Sequence, residues 1–191
     1  MSFLSFTQTA LAAALARGVR QCVVIGSRGL WNEICRSHSD QAWQVFLVDE
    51  DPSSDSSATF VPTQFASETL ATALAKSSFD AQKAALFVWL GGAGYHTVDA
   101  ALASIAFMAS LPRESEIVLD YMVERTSPGS LVYTALDALA SHLEMVGGSI
   151  KHLIDPSAVA AMLRGVGFRK IVDQAPEEWS ISSRHLVSAL T

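Results

Sequence analysis

The residues of this chain whose types and spacing could do chemistry begin with a glycine-bearing turn and a carboxylate. Gly26-Ser27-Arg28-Gly29 follows the apolar run Cys22-Val23-Val24-Ile25, and Asp49 closes a second run, Trp43 to Val48, about twenty positions further on. In a nucleotide-binding βαβ unit, glycine lets the backbone approach a cofactor, and a carboxylate after the second strand accepts hydrogen bonds from ribose hydroxyls. The spacing is G-x-x-G rather than G-x-G-x-x-G, so a plain turn between strand and helix fits the glycines as well. Tyr95 and His96 stand just beyond a third apolar run, Ala84 to Leu90. His96 is the best-placed general base, the alternative being an exposed or satisfied loop histidine. Tyr95 either lines a pocket or packs in the core. Asp120 ends a fourth run, where it faces substrate or caps a loop. His38, His142, His152, His185, Cys22 and Cys35 lack ligand spacing, so no metal is expected. Trp31, Trp43 and Trp179 read as packing residues.

The elements that must position these residues alternate. Thr7 to Ala16 is a strong helix former stopped by Arg17-Gly18. The strands at 22–25 and 43–48 follow, then the polar loop Pro52 to Ala58 and a short edge strand, Thr59 to Pro62, where proline is tolerated. The pattern predicts a helix over 67–76 with Ser67 as its N-cap. Ala84 to Leu90 has the unbroken apolar character of a parallel strand buried on both faces. A helix over 97–110 with Thr97 as N-cap, a strand over 116–121, and helices over 131–145 and 156–164 come next. The last of these stops at Gly165 or Gly167, and 168–172 and 186–189 supply the final strands. Strands alternating with helices predict an α/β sheet, mostly parallel, with helices on both faces.

Composition bounds the function classes. At 191 residues the chain suits one domain, and half of it is hydrophobic with 17% charged. That apolar balance predicts burial against a second copy, a homodimer. The net charge of -6 with 13 Lys+Arg argues against nucleic acid or an anionic membrane as partner. Two cysteines, no signal-peptide pattern at Met1 to Arg17 and no apolar run of spanning length predict a cytoplasmic protein.

Five segments in order resemble the leucine carboxyl methyltransferase family, S-adenosylmethionine-dependent O-methyltransferases of the class I Rossmann-like fold. ALARGVRQCVVIGSRGL is similar to the family's glycine loop, VFLVDEDP to its second-strand V-D-x-P motif, and FVPTQFA to its V-P-V-D-F segment. LFVWLGGAGYHT resembles its F-V-W-E-G-x-x-x-Y-L-T motif, and IDPSAVAAMLRGVGF its late D-P-x-x-L-x-x-L-x-x-x-G-F helix. The resemblance covers 9–178 and implies S-adenosylmethionine as cofactor with a small-molecule acceptor, a carboxylic acid. It implies that Gly26, Ser27 and Gly29 cradle the methionine part and that Asp49 holds the ribose. Gln64 and Phe65 would lie by the adenine, and Trp89, Leu90, Gly91 and Tyr95 would line the pocket beside the sulfonium.

The departures carry their own implications. Leu30 is followed by Trp31, Asn32 and Glu33 where the family has aspartate, threonine and arginine, Gln64 replaces an aspartate, and Leu90 replaces a glutamate. At position 90, therefore, no carboxylate meets a cofactor ammonium. The family's N-terminal helical cover is also missing from the match. Losing three polar contacts at about 1 to 3 kcal/mol each weakens donor binding by several kcal/mol. Two readings follow: an S-adenosylmethionine-dependent O-methyltransferase, or a non-catalytic relative that keeps the fold and serves as a partner or regulatory subunit.

Overall fold

The computed structural model describes residues 3–26, 43–50, 58–65, 67–90, 98–124, 156–174 and 182–191. The predicted helix over 131–145 lies outside them. Among the described residues the chain runs α1 (Phe3–Ala16), β1 (Gln21–Ile25), β2 (Gln44–Asp49), β3 (Thr59–Pro62), α2 (Leu70–Ala75), β4 (Ala85–Trp89), α3 (Val98–Ser110), β5 (Glu116–Glu124), α4 (Pro156–Val166), β6 (Lys170–Gln174) and β7 (Ser182–Leu190).

The described strands form one sheet in the order β3-β2-β1-β4-β5-β7-β6. β3, β2, β1, β4 and β5 are mutually parallel, and β7 runs antiparallel to both β5 and β6. β1 and β4 are buried at every position, as their unbroken apolar runs require of strands covered on both faces. One face packs Phe46, Phe87, Trp89, Ile117 and Val187 beneath Leu70, Leu74, Ile105, Met108 and Leu163 of α2, α3 and α4. The other packs Cys22, Val24, Leu47, Val88 and Val118 beneath Phe6, Ala10, Leu11 and Ala14 of α1. Fully burying a side chain such as Phe46 or Phe87 is worth about 1.5 to 3 kcal/mol, so this two-sided packing dominates the sheet's stability.

Several boundaries differ from the sequence expectations. α1 begins at Phe3, four residues before Thr7, because Phe6 contributes to the same buried stripe. It stops at Gly18, whose φ of +88° lets Gly18 and Val19 donate back to the carbonyls of Leu15 and Ala14 at 2.9 and 3.0 Å. α2 is shorter than the 67–76 helix expected, and its N-cap is Thr69 rather than Ser67. The Thr69 hydroxyl accepts from the Thr72 N–H at 3.2 Å, whereas the Ser67 hydroxyl turns back to the Gln64 carbonyl. β5 continues past Asp120 to Glu124, so that aspartate lies within a strand and does not cap a loop. α4 ends at Val166 with a turn at Gly167, and the last strands are longer or later than expected, at 170–174 and 182–190.

At the amino end of the parallel strands, polar side chains fasten the frame. Arg17, just after α1, pairs with Glu114 at 3.0 Å and with the buried Glu116 at the start of β5, which also accepts from the Ser188 hydroxyl of β7. The Gln21 amide exchanges two hydrogen bonds with the Asp80 backbone, at 3.0 and 2.8 Å. The Lys83 ammonium and the Gln82 N–H hold the Asp80 carboxyl below its ordinary pKa.

Candidate functional site

The opposite, carboxyl end of the parallel strands assembles the residues singled out above. Ile25 is level with Val48 on one side and with Trp89 on the other, so Gly26, Asp49 and Leu90 follow as neighbours at the rim. Side chains alternate along a strand. These three positions therefore share the face of Val24, Leu47 and Val88, the face that α1 covers. The sheet order reverses between β1 and β4, since β2 lies on one side of β1 and β4 on the other. Open α/β sheets bind ligands at such a switch point, outside the carboxyl ends of the strands.

Local structure fixes each group. Gly26 leaves β1 with φ +67° while its N–H still donates to the Val48 carbonyl at 3.0 Å. A left-handed residue with a Cβ costs roughly 1 to 2 kcal/mol there, so glycine suits the exit. Asp49 is half-buried at the end of β2, and its carbonyl accepts from the Thr63 N–H at 3.1 Å, which extends the β2–β3 pairing by one rung. That rung brings Gln64 and Phe65 to the same end of the sheet. Gln64 is exposed, and its carbonyl is taken by the N–H groups of Ser67 and Glu68, both at 2.9 Å. Phe65 is half-buried and packs against the core on the α2 side. Trp89 is 2% exposed and packs on the face opposite Leu90, so the rim displays Leu90 and not the indole. Ser27, Gly29, Gly91, Tyr95 and His96 lie outside the described residues.

Two features add to the sequence reading. The first is the place of Asp120. Trp89 is level with Leu119, so Asp120 sits beside Leu90 on the same face, 5% exposed, with Leu186 of β7 on its far side. The second is a cluster on the other face near the same end of β5. The His185 Nδ1 lies 2.8 Å from the Asp173 carboxylate, which also accepts from the Tyr121 hydroxyl, and the His185 and Tyr121 rings are 5.5 Å apart. His185 and Tyr121 are buried. The three residues come from β7, β6 and β5, and no local spacing announces contacts that depend on strand pairing. Among the described residues, no group of His, Cys, Asp and Glu is arranged to hold a metal ion, and no helix is long and apolar enough to cross a membrane.

Solved structures share this fold. A SAM-dependent methyltransferase from Archaeoglobus fulgidus is 14% identical, with a TM-score of 0.59 over 98% of this chain and 94% of its own. The 1,6-didemethyltoxoflavin-N1-methyltransferase of Burkholderia thailandensis, solved with 1,6-didemethyltoxoflavin and S-adenosylhomocysteine, is 15% identical, with a TM-score of 0.58 over 95% of this chain and 76% of its own. The S-adenosylmethionine-dependent methyltransferase SibL, in its apo form, is 13% identical with a TM-score of 0.53; the match covers 90% of this chain and 50% of SibL, so the chain spans half of SibL's length. No protein-family model and no curated protein matches the chain. The chain has the Rossmann-like fold of the class I S-adenosylmethionine-dependent methyltransferases. At such identities the likeness is one of fold, and function must be argued from the site.

Proposed function

We propose that the rim formed by Gly26, Asp49 and Leu90 binds S-adenosylmethionine and that the chain is a methyltransferase acting on a small molecule. The observation that carries this reading is the pairing of Asp49, at the end of β2, with the positive-φ Gly26 at the end of β1, side by side at the switch point. The residues fit the group. Asp49 offers a carboxylate to the ribose hydroxyls, and Gly26, with Ser27 and Gly29 after it, offers backbone to the methionine part. Gln64 and Phe65 stand next along the sheet for the adenine.

When bound, the donor supplies an electrophilic methyl group on a sulfonium. The protein's task is then to hold the acceptor in line and to keep water out. The five-segment resemblance to the leucine carboxyl methyltransferase family supports a carboxylic acid as acceptor, which is already nucleophilic and needs no base. A hydroxyl acceptor would call on a general base, for which His96 beside Tyr95 is the candidate.

A second reading, a fold-retaining partner or regulatory subunit, draws support from Leu90. An apolar side chain, 7% exposed, occupies the rim where the resembling family places a glutamate. Titration calorimetry with S-adenosylmethionine and S-adenosylhomocysteine, on the native chain and on Asp49→Ala, separates the two. Hydrogen bonds to a charged group contribute about 1.5 to 3 kcal/mol, so the enzyme reading expects micromolar binding weakened roughly 10- to 150-fold in the variant. Absence of binding at millimolar nucleoside would sink the methyltransferase reading in favour of the partner.

A further inference from the structure

We propose that β6 is a dimerisation edge: a second copy of the chain adds its own β6 antiparallel to it, about a two-fold axis at Val172. This edge lies at the far side of the sheet from β1 and β2, and the proposal stands whether or not the rim there binds S-adenosylmethionine.

The two edges of the described sheet are built differently. β3, at one edge, is four residues long and ends on Pro62, which has no N–H to offer a further strand. β6, at the other, is five residues long, contains no proline, and pairs with β7 in unbroken step from Lys170 to Gln174. Alternation sends Ile171 and Asp173 to the face of α2, α3 and α4, where Ile171 packs on the core and Asp173 meets Tyr121 and His185. Val172 points to the other face. At 45% exposed it is the most exposed large apolar side chain among the described residues, and it stands at the middle of the strand. The one charge that β6 places on that face, Lys170, stands at its start. Proteins blunt open edges with proline, bulges or charge, because unpaired N–H and C=O groups template another strand. Here the centre of the edge carries valine.

The occupant is a second copy because this strand is complementary to itself. It is entered through the exposed cations Arg169 and Lys170 and closes on Asp173 and Gln174. Antiparallel addition lays the start of one strand against the end of the other, whereas a parallel copy would set like charge beside like. Among antiparallel registers, the one centred on Val172 pairs all five residues. Val172 then faces Val172 of the second copy, Lys170 faces its Gln174, and Ile171 faces its Asp173. Arg169 and Asp173 of the second copy become diagonal neighbours, within reach of a long side chain. Such a two-fold contact is closed and uses the same patch on both copies. Because the strand directions oppose, the carboxyl ends of the two sheets point away from each other and neither donor rim is covered.

Sedimentation equilibrium on the full chain, from about 1 to 100 µM, should show a monomer–dimer equilibrium. Val172→Lys sets two ammonium groups across the two-fold and removes the apolar pair, so the dimer should weaken about 10-fold or more, with far-ultraviolet circular dichroism unchanged. Val172→Cys supplies a second reading. Directly opposed strand residues have Cα atoms about 4.5 to 5.5 Å apart, inside the range a disulfide spans, so this variant should cross-link two copies under mild oxidation. Leu102→Cys, at the comparably exposed position on α3, should not. A native chain that stays monomeric at the highest concentration would overturn the proposal. So would a dimer that Val172→Lys leaves intact, or one in which Val172→Cys cross-links no faster than Leu102→Cys, since the contact would then lie on another face.

Discussion

Gly26 shows how one residue can serve the frame and the site at once. Its N–H completes the β1–β2 ladder through Val48, and its φ of +67° puts it in the left-handed region where β1 ends. Alanine keeps the N–H and adds a Cβ in a backbone region where it costs roughly 1 to 2 kcal/mol. Gly26→Ala should therefore lower stability by about that amount in urea titration. If the proposed site holds the donor, it should also weaken S-adenosylhomocysteine, whose methionine part that reading sets against the Gly26 backbone. A variant with native stability and native affinity would show that the turn tolerates a side chain and that the ligand does not approach it. Asp49 and Gly26 were legible as chemistry in the sequence because their spacing is set locally, by one strand, one turn and the next strand. The adjacency of Asp120 and Leu90 was not, because thirty residues of chain separate the two and only the register of β4 on β5 joins them.

The elements divide along similar lines. β1 and β4 could be read directly, since a strand buried on both faces has no room for polar alternation. The α2 start could not, because Ser67 and Thr69 are equally good caps and the choice falls to packing: Leu70 must enter the core, and Thr69 is the residue before it. β7 was only half-visible. Its outer half, Ser182 to His185, looks like loop, and becomes strand because β5 offers a ladder as long as Glu124. The Tyr121–Asp173–His185 cluster ties that outer half to β6. Asp173→Ala leaves a buried hydroxyl and a buried ring nitrogen without their shared acceptor, at about 1 to 3 kcal/mol for each orphaned group. With about 2 to 4 °C lost per kcal/mol in a chain of this size, Tm should fall by roughly 4 to 24 °C. A fall of under 2 °C would show that the cluster contributes no strength to the antiparallel corner.

At the scale of the whole molecule, both hydrophobic cores stand on the same floor. The α1 core packs against Cys22, Val24, Leu47 and Val88, and the α2–α3–α4 core packs against Val23, Phe46, Phe87 and Ile117, which are the alternate residues of the same strands. Neither core can lose its helices without exposing strands that the other needs covered, so unfolding of one face should carry the other with it. Such coupling is what the single domain expected from the composition would show. Urea denaturation followed by far-ultraviolet circular dichroism and by tryptophan fluorescence should give coincident transitions, Trp89 reporting from the centre of the sheet. Two separated midpoints would mean that the α1 side melts alone and would break the single-domain reading. The same curves test the expected homodimer. Val172 on the β6 edge and Leu102 on α3 are 45% and 41% exposed, apolar surface that a second copy could cover. If it does, the midpoint rises with protein concentration by mass action, and a midpoint that stays fixed over a hundredfold range leaves the chain a monomer.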